Sequence, residues 1–173
     1  MLRLISSFQN KPILSLQTGG RVGSTLEPIV DPDTLKVLGF HVDSPRDTGT
    51  ILLIDDVREF SPTGLIIDRF DKLAHHDDLV RLQKVLKIDY QLVGKQVVTE
   101  AGKKVGKVSD YIIDDQSFFV ARLYTRQSVV KNFSGEGLVV DRSQIVEIDD
   151  RRVVIKDPSG TIKQSAVAAI AGS

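Results

Sequence analysis

The sequence predicts a mostly β protein: two tandem small β-barrels joined by a short helical linker. Three observations carry that reading: a pattern written twice at one spacing, many short apolar runs punctuated by turn residues, and one helical stretch between the copies. The second copy is clearest at Gly94 to Asp115, and the first lies around Asn10 to Asp31. In both, a short apolar strand meets a glycine turn and a Val-Gly pair, and then reaches a β-branched pair and an aspartate. Val22 matches Val105, Gly23 matches Gly106, Ile29 matches Ile112, Val30 matches Ile113 and Asp31 matches Asp114, at a constant separation of 83 (106 − 23).

In the first copy the lead-in Leu2, Leu4 and Phe8 precedes a strand over Pro12 to Leu16. Thr18-Gly19-Gly20 tolerates the positive φ of a hairpin turn, and Arg21 begins the return strand. Gly23, alone inside that strand, marks a bulge or tight bend. Asp31-Pro32-Asp33-Thr34 is turn chemistry, and a third strand runs from Leu35 to Val42. The run Thr50 to Asp55 reads as a buried strand, Val57 to Phe60 as another, Ser61-Pro62-Thr63-Gly64 as a turn and Leu65 to Ile67 as the closing strand. Gly137 to Asp141, Ile145 to Ile148 and Arg152 to Lys156 are the second copy's counterparts. Five or six short strands with tight turns suit a closed barrel, which removes exposed edges.

The helical stretch is Asp77 to Lys87, where Leu79, Leu82, Val85 and Leu86 share a face that wants an apolar partner. The implied boundaries are 1–70 for the first barrel, 71–90 for the linker, 91–160 for the second barrel and 161–173 for a tail.

Composition excludes several function classes. The 23 basic and 23 acidic residues balance, without the basic excess of a protein held mainly by phosphates. Cysteine is absent, which removes disulfides, thiolate metal sites and cysteine nucleophiles. The longest apolar run, Ala166 to Ala171, is far short of the roughly 20 residues of a membrane helix, and the first ten residues do not read as a signal peptide. The expectation is a cytoplasmic protein without membrane insertion.

The doubled pattern resembles the PRC-barrel family, most clearly at Val105-Gly106-Lys107-Val108 with Asp110 and Ile112-Ile113-Asp114. The resemblance implies small β-barrels like the cytoplasmic domain of the photosynthetic reaction centre H subunit and the C-terminal domain of the ribosome-maturation factor RimM. The first copy departs from the pattern at Leu26 and at Glu27-Pro28, where the second has Ser109 and Asp110-Tyr111.

The residues offer little catalytic chemistry. His75-His76 with Asp71, Asp77 and Asp78 suggests a metal, but adjacent helical residues point about 100° apart, and a solvated linker is the preferred account. The doublets Asp55-Asp56, Asp114-Asp115 and Asp149-Asp150 fall at strand ends without the alternating oxygen spacing of a calcium loop. His41, opposite Tyr124 in the repeat, reads as a barrel-wall residue. No phosphate loop follows the glycines. The expectations are therefore no catalytic residue, no metal and no cofactor.

What remains is a non-enzymatic scaffold or adaptor that binds a protein partner. The alternative is a ribosome-assembly or RNA-processing accessory that contacts ribosomal protein or RNA. The candidate interaction surface is Lys103, Lys104, Lys107, Arg122, Arg126, Lys131 and Phe133, and homo-oligomerisation is left open.

Overall fold

The computed structural model describes residues 1–44, 48–126 and 137–157. In chain order the strands of its first part are β1 (Leu2–Leu4), β2 (Pro12–Ser15), β3 (Gly20–Asp31), β4 (Lys36–Asp43), β5 (Ile51–Leu53), β6 (Val57–Ser61) and β7 (Gly64–Ile67). A short helix α1 (Gln83–Ile88) follows, and then β8 (Gln96–Thr99), β9 (Lys104–Asp114), β10 (Val120–Arg126), β11 (Val139–Asp141), β12 (Ile145–Ile148) and β13 (Arg152–Ile155). The protein is mostly β, and α1 is the only α-helix among the described residues.

Two compact units emerge. The first holds Met1–Gln91 with Ile112–Val120, and the second holds Leu92–Tyr111 with the described residues from Ala121 on.

In the first unit the sheet order is β5-β4-β3-β2-β7-β6, antiparallel except for β2 against β7. Ile13 on β2, Val37 and Phe40 on β4, Leu52 on β5 and Ile67 on β7 are all fully buried in its core. Phe8 stacks on Phe40 at 5.5 Å between ring centroids and meets Phe60 edge-on at 5.9 Å. Residues 112–120 belong to this unit: Ile112, Ile113 and Asp114 pair with β1, and Phe118 packs on Phe60 at 5.2 Å.

The second unit has the order β11-β10-β9-β8-β13-β12, with β8 and β13 parallel. Val97, Val108, Leu123, Val153 and Ile155 are buried in it.

The two sheets thus have the same strand order and the same single parallel pair. Each also carries a bulge at the Val-Gly pair. Ile13 faces Gly23 while Leu14 faces Arg21, and Val97 faces Gly106 while Val98 faces Lys104, so Val22 and Val105 are the extra residues. The expected strand glycine marks a bulge in both places. Asn10 and Gly94, both at positive φ, donate to the carbonyls of Thr25 and Val108.

Several expectations change. The first sheet is a half-barrel and the second is open, with no pairing between β5 and β6 or between β11 and β12. In each case a 3-10 turn intervenes, Ile54–Asp56 and Arg142–Gln144, and a tight helical turn offers its amides locally rather than to a neighbouring strand. The run Thr50 to Asp55 is accordingly a three-residue strand that ends in such a turn.

Leu35 does not begin the third strand. It sits in the preceding turn at φ 55°, its amide bonded to Asp31 O. The helix expected over Asp77 to Lys87 is confined to Gln83–Ile88, preceded by 3-10 turns at His76–Asp78 and Val80–Leu82. Leu79, at φ −94° and ψ 60°, breaks helical geometry between those turns.

The apolar face of that segment nonetheless finds a partner in its own unit. Leu86 is buried with Ile29 and Ile51, and Leu79, Leu82 and Val85 pack around them with Leu38 and Leu53. Pro28 leaves its mark too, since the register of β3 on β4 shifts between Thr25 and Pro28, as a residue without an N–H requires.

Candidate functional site

The basic hairpin of the second unit is built by the turn between β8 and β9. Gly102, at φ 82°, donates to Thr99 O at 2.8 Å, and Thr99 N–H bonds back to Lys103 O at 2.9 Å. The Thr99 hydroxyl, itself buried, accepts the Lys103 amide at 3.2 Å. This fixes the backbone and leaves Lys103 and Lys104 exposed at the tip. Lys107 is exposed one turn of the bulge further on. Among the described residues, none of the three has a carboxylate within 4.0 Å.

On β10, Leu123 and Thr125 face inward, so Arg122, Tyr124 and Arg126 share the outward side. Arg122 is committed: its Nε donates to Asp141 Oδ1 at 2.9 Å, directly across the β10–β11 pair. Its charge is therefore largely spent within the sheet. Arg126 is exposed at the end of the strand. Lys131 and Phe133, with most of the loop between Thr125 and Gly137, lie outside the described residues.

The acidic doublets serve turns and ion pairs. Asp114 accepts the Ser117 amide at 2.9 Å, the Ser117 hydroxyl at 3.0 Å and the Gln116 amide at 3.2 Å. These bonds, the Ser117 amide foremost, hold its carboxyl below the ordinary aspartate range. Asp115 is partly buried, which works to raise it, but the Met1 ammonium and the Arg3 guanidinium outweigh that and lower it. Asp149 is lowered by the Arg151 and Arg152 amides and by the Arg152 guanidinium. Asp56 takes an ion pair from Lys72 at 3.0 Å.

His75 and His76 are exposed, His75 extended just before the 3-10 turn that His76 opens, with His76 Nδ1 3.7 Å from Asp77. Among the described residues no three His, Asp or Glu side chains gather as a metal site. His41 is half-buried on β4 opposite Ile51 and borders a small gap beside Leu86 and Tyr90. No helix among the described residues is long and apolar enough to cross a membrane.

A recess that sequence reasoning missed lies in the first unit, where Arg3, Phe8, Lys11, Phe60 and Leu65 meet. Its residues come from β1, the 3-10 turn Ile5–Phe8, and the β6–β7 hairpin, about fifty positions apart. In the sequence Phe8 reads only as part of the lead-in to the first strand and Phe60 only as the end of a later one, with no signal that the two meet.

Residues 87–162 match the family model of the PRC-barrel domain. The comparison with curated proteins finds no match.

Proposed function

We propose that the chain is a non-enzymatic adaptor of two PRC-barrel-like copies, residues 1–70 and 91–160 about the segment 71–90, which presents strand faces and loops to a protein partner in the cytoplasm. The observation that carries the reading is the shared plan of the two sheets. The strand order, the parallel pair and the Val-Gly bulge of residues 96–155, which lie inside the PRC-barrel match, recur at residues 12–67. Further support comes from the lysine at each lead-in, since Lys11 and Lys95 donate to the carbonyls of Pro62 and Asp150 in the matching turns. The resemblance to PRC barrels implies work through exposed surfaces rather than a catalytic pocket.

Tagged full-length protein, recovered from its native cell with and without nuclease, tests the proposal. A stoichiometric protein that stays bound after nuclease supports the adaptor.

A second reading, contact with RNA, is favoured by Lys103, Lys104 and Lys107, exposed on one hairpin and, among the described residues, without a carboxylate within 4.0 Å. It requires RNA affinity that falls with salt by several log units per log unit, and a loss of slope when the three become glutamine. Retention of the full slope in that triple variant removes this reading.

A further inference from the structure

We infer that the recess beside β1 is a binding site for a carboxylate carried on a small apolar body, with the C-terminal residue of a polypeptide as its occupant. This rests on the adaptor reading and names which end of a partner would be taken. Arg3, Ser7, Phe8, Lys11, Phe60 and Leu65 line the recess, whose volume is about 100 Å³. Drug-sized ligands need several times that volume, whereas a cavity of about 150 Å³ holds one benzene. The space therefore suits one apolar side chain and its carboxylate, not a nucleotide.

The floor is apolar and fixed. Phe8 is only 4% exposed and is clamped by Phe40 on its face and Phe60 at its edge, while Leu65 is buried beside them. The rim is cationic. Arg3 spends its Nε on Asp115 at 2.8 Å, and among the described residues no acceptor is in hydrogen-bond range of its two terminal nitrogens. A guanidinium held by one edge is pre-organised to offer its other donors to a planar carboxylate.

Asp115 offsets one positive charge, which leaves Lys11 to supply the attraction. Its Nζ donates to Pro62 O at 3.3 Å, and among the described residues it has no carboxylate within 4.0 Å. Inorganic phosphate, a strongly hydrated anion, would gain nothing from two phenyl rings and a leucine. A carboxylate on an apolar side chain uses both halves of the recess.

Fluorescence anisotropy of the full-length protein with a labelled Gly-Ser-Gly-Ser-Val peptide tests this, comparing free acid with C-terminal amide and using isovalerate as the competitor. The free acid is expected to bind at least about tenfold more tightly than the amide, as loss of a charge-assisted pair implies. Lys11→Gln, which leaves the Arg3–Asp115 pair in place, should weaken the acid by a similar factor without lowering the melting temperature, and Lys84→Gln should change nothing.

Isovalerate that binds as tightly as the peptide assigns the site to a free acid and overturns the polypeptide occupant. Equal binding of acid and amide, no binding, or indifference to Lys11→Gln overturns the site itself. A cellular partner retained by Lys11→Gln sinks this site and spares the adaptor reading. Peptide binding with no partner recovered does the reverse.

Discussion

Leu35 and Phe118 occupy one position in two hairpins, 83 residues apart (118 − 35), and each accepts a hydrogen bond from the strand that follows the other. Val37 N–H reaches Phe118 O, and Val120 N–H reaches Leu35 O, both at 2.9 Å. Each residue closes its own turn on the preceding aspartate, Leu35 N–H to Asp31 O and Phe118 N–H to Asp114 O, both at 2.8 Å. Both have positive φ, 55° and 60°, and both are 5% exposed. A bulky side chain accepts left-handed backbone only when its burial outweighs the strain. Here Phe118 lies against Phe60 in the core.

Truncation at position 35 separates burial from strain. Leu35→Ala removes the buried side chain but keeps a Cβ in left-handed geometry, and should cost about 2–4 kcal/mol. Leu35→Gly loses the same burial yet relieves about 1 kcal/mol of backbone strain, so it should be the milder change. Chemical denaturation of the two variants decides it: glycine less stable than alanine, the usual order, would refute the strain. Phe118→Ala should cost about 3–5 kcal/mol, and Phe119→Ala, at 37% exposure, well under half of that.

The bulge at Gly106 makes a sharper demand. Its φ of 137° lies where β-branched residues are essentially excluded. Gly20 has ordinary φ, and a Cβ built on it meets nothing within 4 Å. Gly106→Val should therefore destabilise by about 1–3 kcal/mol or more, and Gly20→Val by less than about 0.5 kcal/mol. Equal melting temperatures for the two would count against the bulge. Gly23, the counterpart, resists substitution for a different reason, since a Cβ there would lie 2.8 Å from both Asp43 O and Val42 Cγ1.

Legibility in the sequence tracked locality. Bulges, hairpin turns and strand ends such as Val57 and Ile145 were readable because glycine, aspartate and β-branched residues act over a few positions. Leu35 was misread because apolar alternation through Val37 outweighed the turn signal of Asp31 to Thr34, and only pairing with residues 118–120 explains a leucine there. The helix was overdrawn because its apolar spacing is real, as packing on Ile29 and Ile51 attests, while the 3-10 turns meet that spacing without α-helical hydrogen bonds. Arg122 could not be known to face Asp141, nor Arg3 and Lys11 to line one recess with Phe60 and Leu65, because both depend on how segments distant in the sequence come together.

Acid should weaken the fold through its turn aspartates. Asp114, Asp115 and Asp149 all titrate below the ordinary value of 3.8 in the folded protein. A carboxyl depressed on folding binds protons more readily when unfolded, so its contribution is complete above about 3.8 and is lost as pH falls through the lower folded value. Melting temperature should accordingly hold from pH 7 down to about 5 and fall below about 4. In Asp114→Asn the acid-induced fall should be shallower than in the parent, because one of the three linked protons is gone. An unchanged slope would show that Asp114 does not carry its share.

Asp89 closes α1 in left-handed geometry, at φ 47° and ψ 53°, with its amide on Val85 O at 3.1 Å. This position favours glycine, and aspartate adds a negative charge at the end of a helix where the dipole is already negative. Among the described residues the side chain accepts one hydrogen bond, from Gln91 at 3.2 Å, which is exposed and contributes little. Asp89→Gly should raise stability by about 0.5–1 kcal/mol, the gain from relieved strain exceeding the added unfolded-chain entropy. Asp89→Ala removes the same charge but retains the Cβ, so it separates the two causes: if alanine stabilises as much as glycine, charge rather than backbone geometry sets the effect, and if neither does, the left-handed cap is unstrained.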